Sequence, residues 1–320
     1  MPHAHDHHDH DHHDHHHGHG HGPGGHSHAP KDFGRAFAIG AGLNIAFVAA
    51  EVAAGLYTHS LALLADAGHN LSDVLGLLLA WGAATLARRA PGGRRTYGLR
   101  KGTILASLAN AGFLLIAVGG ITLEALHRFA DPEAIQPGLV MAVAAVGVVI
   151  NTATALMFSR GHDDLNVKGA FLHMAADAAV SAGVIVAGLI VWRTGWEWID
   201  PAVGLIIAIV IVAGTWGLLR DSLDLALDAV PRGIDPKAVQ TWLADRPGVT
   251  EVHDLHIWAM STTETALTAH VIRPDNALAD DFLHEACAGL LERFGIHHAT
   301  LQVETVGGEH ACRLAPANVV

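Results

Sequence analysis

Six apolar stretches follow one another from Ala36 onward, at about 36–57, 62–87, 103–126, 137–159, 168–192 and 202–219. Each is long enough to cross a hydrocarbon layer of roughly 30 Å as a helix, and lipid offers no water to an unpaired backbone group. The pattern predicts a bundle of six membrane-spanning helices. The breaks carry residues that end helices, "APGG" at 90–93, "DPE" at 131–133, "RGHDD" at 160–164 and "DP" at 200–201.

Basic residues orient this bundle. Arg88, Arg89, Arg94, Arg95, Arg100 and Lys101 lie between the second and third runs, and Arg160 and Lys168 between the fourth and fifth. The opposite side has only Arg128 and Arg193 near its run ends. Basic loops stay on the cytoplasmic side, so both termini are expected there, in a multi-pass protein of the inner (plasma) membrane. The polar N-terminus and the length of the first apolar run argue against a cleavable signal peptide. The formal charge of -12 is concentrated in the N-terminal tail and the C-terminal third, which argues against nucleic acid as a partner. Cys287 and Cys312 make no disulfide framework and suit a reducing compartment.

The flanking regions differ from the bundle, which is assigned to residues 33–221. Residues 1–32 contain "HAHDHHDHDHHDHHHGHGHGPGGHSH", a His, Asp and Gly tract expected to be disordered and to collect metal loosely. Residues 222–306 read as a small cytoplasmic α+β domain of order αββαβ. In it "DPKAVQTWLADRPG" has helical spacing, "VTEVHDLHIWAM" and "ETALTAHVIRP" are strands, "ALADDFLHEACAGLLERFG" is an amphipathic helix ended by Gly295, and "HATLQVE" is a third strand. A core this small benefits from dimerisation. Residues 307–320 are expected to be a flexible tail.

Ionisable side chains inside the apolar runs demand a reason, since each costs roughly 2.5–3.5 kcal/mol at mid-membrane. "LLADAGHNLSDV" carries Asp66, His69 and Asp73, and "FLHMAADAAV" carries His173 and Asp177. In each stretch a His precedes an Asp by four positions, which places the two on one helix face about 6 Å apart along the axis. Two such helices supply two imidazole nitrogens and two carboxylates, a tetrahedral set for Zn2+ that would neutralise both acids. Imidazoles must lose protons to bind metal and regain them afterwards, so metal and proton movements are linked. Glu51, Asn44, Asn151 and Asp66 read as helix–helix hydrogen-bonding groups, with Glu51 the one most in need of a cation or proton.

The stretches "SLALLADAGHNLSDV", "HMAADAAVS" and "HDLHIW" resemble the cation diffusion facilitator family of zinc and cadmium exporters, over a span of about Phe33 to Glu304. The resemblance implies a metallochaperone-like cytoplasmic domain and a homodimer that exports divalent metal, chiefly zinc but also cadmium or cobalt, in exchange for protons. It implies His69, Asp73, His173 and Asp177 as the transport site. It also implies His253, His270, His297 and Glu304 as ligands of a structural cytoplasmic Zn2+, with His284 and His298 open. Strand alternation sets His253 and His256 on opposite faces unless a bulge intervenes. The loop "RRAPGGRRTYGLRKGT" has no His, Asp or Glu, so a loop zinc site is not expected, and its bases would meet acidic lipid headgroups or a carboxylate. "EHAC" at 309–312 offers soft ligands in a short tail.

A metalloenzyme is a poor alternative, because there is no His-Glu-x-x-His and four protein ligands leave no position for an activated water. A membrane-anchored metal sensor or storage protein is the other alternative, but a mere anchor has no use for two polar pairs in its bundle.

Overall fold

A computed structural model of the protein describes residues 35–158, 165–274 and 279–305. The expected N- and C-terminal tails and the "RGHDD" break lie outside the described residues. Six helices come first: α1 (Arg35–Thr58), α2 (Leu61–Ala87), α3 (Gly102–Ala130), α4 (Pro137–Phe158), α5 (Leu165–Thr194) and α6 (Ile199–Ala226). Of these, α2 to α6 are long and apolar enough to cross a membrane, and α1 contributes a shorter apolar stretch, Asn44–Thr58. The bundle encloses its ionisable side chains and turns large apolar ones outward. Ile116 and Leu123 are more than two-thirds exposed whereas Glu51 and Asp66 are wholly enclosed, an arrangement stable only where the surroundings are hydrocarbon.

The end of the bundle where α1 turns into α2 is tied by polar contacts. Ser60 caps α2 by accepting a hydrogen bond from the Leu63 N–H (3.2 Å). At the start of α6, Asp200 accepts from the Ser60 hydroxyl at 2.5 Å and from the Leu61 N–H at 2.6 Å. Arg128 of α3 donates to the His59 carbonyl and to Glu124 (2.9 Å), and pairs with Glu133 (3.1 Å). Close approach of α6 to α2 requires Gly204, because a Cβ there would lie 3.1 Å from the Leu61 carbonyl carbon. The apolar core joins Ala62, Leu63 and Ala65 to Val118, Val140, Ala144, Val184 and Ile207.

The remaining elements are α7 (Pro236–Ala244), β1 (Glu251–Ala259), β2 (Thr265–Ile272), α8 (Ala279–Phe294) and β3 (Ile296–Glu304). The order is the expected αββαβ. Asp235 caps α7, with Pro236 in its first turn, and Gly295 ends α8 at a φ of 66°. The sheet order is β1-β2-β3, with β1 and β2 antiparallel and β2 and β3 parallel. Val239, Leu243, Leu267 and Leu290 fill the space between sheet and helices.

The basic loop meets this domain with protein carboxylates. Arg100 pairs with Glu264 (2.6 Å), Lys101 pairs with Asp228 (2.6 Å), and the Thr262 N–H donates to Thr103 Oγ1 at 3.1 Å. Arg88, Arg89, Arg94 and Arg95 are exposed, in keeping with headgroup contact for that part of the loop.

Candidate metal-transport site and cytoplasmic metal site

His69, Asp73, His173 and Asp177 converge, with one ligand atom from each lying within 4.8 Å of every other. Asp73 and Asp177 each stand twelve positions past the first residue of their helix, near mid-depth in the bundle. The pairing is crossed. His69 Nε2 is 3.1 Å from Asp177 Oδ1 but 3.7 Å from Asp73 on its own helix. Likewise His173 Nε2 is 3.2 Å from Asp73 Oδ2 but 3.6 Å from Asp177. The imidazoles stand edge to face at 5.8 Å between centroids, so both Nε2 atoms and two carboxylates surround one point. Such a nitrogen and oxygen set suits Zn2+ and other divalent ions that accept tetrahedral geometry.

The site is open on one side. Its partners fall in number along α5 as they rise along α2, from Asp66–Ser181 through His69–Asp177 to Asp73–His173, so the two helices run antiparallel. Asp66 and Ser181 are fully buried and Asp177 nearly so, while the side chains of Asp73 and His173 are 32% and 41% exposed. Exposure thus increases toward the end of α2 that leads into the basic loop and the α+β domain.

The second group lies on the sheet. His253 of β1 is directly opposite His270 of β2, with ring centroids 5.3 Å apart, and Glu304 of β3 closes the set. His270 Nδ1 is 3.0 Å from Glu304 Oε1. Neither ring nitrogen of the buried His253 has a hydrogen-bond partner among the described residues, while Glu251 and Glu304 lie 3.5 and 3.7 Å from Nδ1 and Nε2, and a buried imidazole with carboxylates near but not bonded to it fits a metal ligand better than a packing residue. His297 does not join them. It is exposed at the start of β3, roughly 23 Å along the strand from Glu304 at 3.3 Å per residue.

A bulge intervenes between His253 and His256, where the β1–β2 register shifts and Asp254 takes a φ of 50°. It turns the Asp254 carboxylate toward His256 Nε2 (2.9 Å) and His270 Nε2 (3.5 Å). Asp254 can therefore orient His270 from behind while its other nitrogen faces Glu304.

The family described as "Cation efflux transmembrane domain" matches residues 38–225, and that described as "Cation efflux protein, cytoplasmic domain" matches residues 231–306. The chain belongs to the cation diffusion facilitator family. It is 37% identical over 290 residues to the cation efflux system protein CzcD of Alcaligenes sp. strain CT14, covering 89% of this chain and 92% of the relative. It is 35% identical to the zinc transporter ZitB of Escherichia coli K12, over 87% of this chain and 90% of that one. A Bacillus subtilis relative named as a cadmium, cobalt and zinc/H(+)-K(+) antiporter is 32% identical, over 81% of this chain and 85% of its own. The solved metal-bound C-terminal domain of the CzcD transporter from Cupriavidus metallidurans is 35% identical, aligning over 22% of this chain and 99% of its own with a TM-score of 0.21.

In this member of the family the site has polar neighbours, and Asp66 and Glu51 make helix–helix hydrogen bonds of the kind expected from the sequence. Asp66 accepts from the Ser181 hydroxyl at 2.7 Å, and Glu51 of α1 accepts from the Asn70 side chain at 3.1 Å. The signal for them was present as mid-membrane charge. Their convergence depends on how α1 and α5 rotate against α2.

Proposed function

We propose that this protein is a secondary transporter that exports divalent cations, zinc foremost and also cadmium or cobalt, from the cytoplasm in exchange for protons. The observation that carries this reading is the crossed four-ligand group on α2 and α5 at mid-depth in a bundle with an apolar outer surface. Residues 33–221 are the transport domain, and residues 222–306 are a cytoplasmic domain. The exposed side of the site faces that domain, so metal loads from the cytoplasm and displaces protons from His69 and His173. Opening to the other face releases the metal, and protons taken up there reset the imidazoles. His253, His270 and Glu304 would hold a resident Zn2+ in the cytoplasmic domain, supplying a cross-strand link. His297 is left out by its distance. The functional unit is a homodimer in the plasma membrane with both termini cytoplasmic, in keeping with the basic loops and the size of the α+β domain.

Zinc flux into proteoliposomes under an imposed pH gradient tests the reading. The wild-type protein should accumulate zinc faster with the gradient than without it, and Asp73→Ala and Asp177→Ala should abolish flux while remaining monodisperse in detergent. A membrane-anchored sensor or store would show no flux in any form.

A further inference from the structure

Glu51 of α1 and Asp66 of α2 are both wholly enclosed, and they are neighbours, because Asn70, which holds Glu51 at 3.1 Å, stands one turn after Asp66 on the same face of α2. Each has one oxygen satisfied, Glu51 by the Asn70 amide and Asp66 by the Ser181 hydroxyl. The other oxygens, Glu51 Oε1 and Asp66 Oδ1, have no donor among the described residues. Two ionised carboxylates cannot satisfy one another, and two adjacent buried negative charges are not sustainable. One proton between them resolves both problems.

The metal site does not neutralise this pair. A divalent ion there balances Asp73 and Asp177, which leaves no charge over for this pair. The charged or titratable groups facing the pair are His69 on α2 and Asp177 on α5. From α4 the neighbour is uncharged: a Cβ on Gly147 would lie 3.0 Å from Phe47 of α1 and 3.1 Å from Ser181 Oγ. The pair lies beyond the metal site on the enclosed side, away from the α+β domain, and Asp66 is one helical turn before His69.

Resting on the exchange reading above, we propose that Glu51 and Asp66 form a proton relay separate from the metal ligands. The pair holds one shared proton and passes it from the far side of the membrane toward His69 when metal has left. The step is balanced: the pair gives up its proton, His69 gains one, and a proton from the far side reloads the pair. The all-oxygen, two-carboxyl donor set with only two free oxygens fits a proton better than a second metal ion.

The test compares two zinc movements in the same proteoliposomes. Net zinc uptake driven by a pH gradient needs proton delivery. Tracer exchange of radioactive zinc for unlabelled zinc, present at equal concentration on both sides, needs none. Glu51→Gln and Asp66→Asn preserve size and hydrogen bonding but cannot release the proton. Each should lower gradient-driven uptake roughly tenfold or more while leaving tracer exchange near wild type. Glu51→Asp, which keeps a titratable carboxyl, should recover part of the gradient-driven uptake. The relay is overturned if uptake and exchange fall together in both amide variants, the mark of a packing role, or if neither falls. A wild-type protein with active tracer exchange but no response to the gradient would instead overturn the proton-exchange reading on which the relay rests.

Discussion

At the scale of single residues, the crossed geometry makes the two aspartates unequal. Asp177 is almost enclosed and lies 3.1 Å from His69, whereas Asp73 is one-third exposed. Asp177→Asn removes a buried charged partner, at a cost of about 2–5 kcal/mol, so its zinc affinity at this site should fall roughly 30-fold or more. Asp73→Asn should lose less, because water reaches its position. Chelator competition on detergent-solubilised protein checks the order, and equal losses would refute the inference from burial. Cys287 on α8 gives a second prediction. Burial pushes its thiol up from the ordinary range, and only the thiolate is alkylated. In a Cys312→Ser background, iodoacetamide should react more slowly than with a free cysteine at pH 8. The rate should keep rising with pH after that of a free thiol has levelled off.

At the scale of elements, Asp200 links the start of α6 to the start of α2, and Leu61 N–H has its carboxylate as a close acceptor. Asp200→Ala leaves that buried donor unsatisfied at a cost of about 1–3 kcal/mol, and the midpoint of thermal unfolding in detergent should drop. Asp200→Asn keeps an acceptor oxygen and should fall between the two. Elements of this kind were legible to different degrees. Apolar length and punctuation fixed the helices within a few residues, except that α6 runs on through Asp221 and Asp224 to Ala226, because helix geometry persists beyond the hydrocarbon that made it visible. The His-x-x-x-Asp spacing marked the α2 and α5 ligands, since i and i+4 positions share a face in any helix. The bulge at Asp254 was not legible, for strand alternation is local and a register shift is decided by the opposing strand. Helix rotation likewise decides that Glu51 meets Asn70 and that Asp66 meets Ser181, and His297, named from the resemblance alone, stands at the other end of β3 from Glu304.

At the scale of the whole molecule, the question is how the α+β domain acts on a bundle whose metal site opens toward it. The described contacts run through the basic loop, with Arg100 on Glu264, Lys101 on Asp228, and Thr103 accepting from Thr262. Glu264 immediately precedes β2, the strand that carries His270. Metal bound by His253, His270 and Glu304 would stiffen the strands from which this contact projects. Coupling of that kind predicts a charge dependence rather than a requirement for one residue type. Arg100→Glu or Glu264→Arg alone sets like charges against each other at a partly buried contact worth about 1 kcal/mol, so either should slow zinc flux roughly fivefold. The double variant restores opposite charges in reversed order and should recover most of the loss. Zinc affinity at the membrane site should be unchanged throughout, because neither residue reaches it. If the double variant is as slow as the worse single variant, the loop contact serves only to hold the domain, and coupling must run through the α6 connection instead.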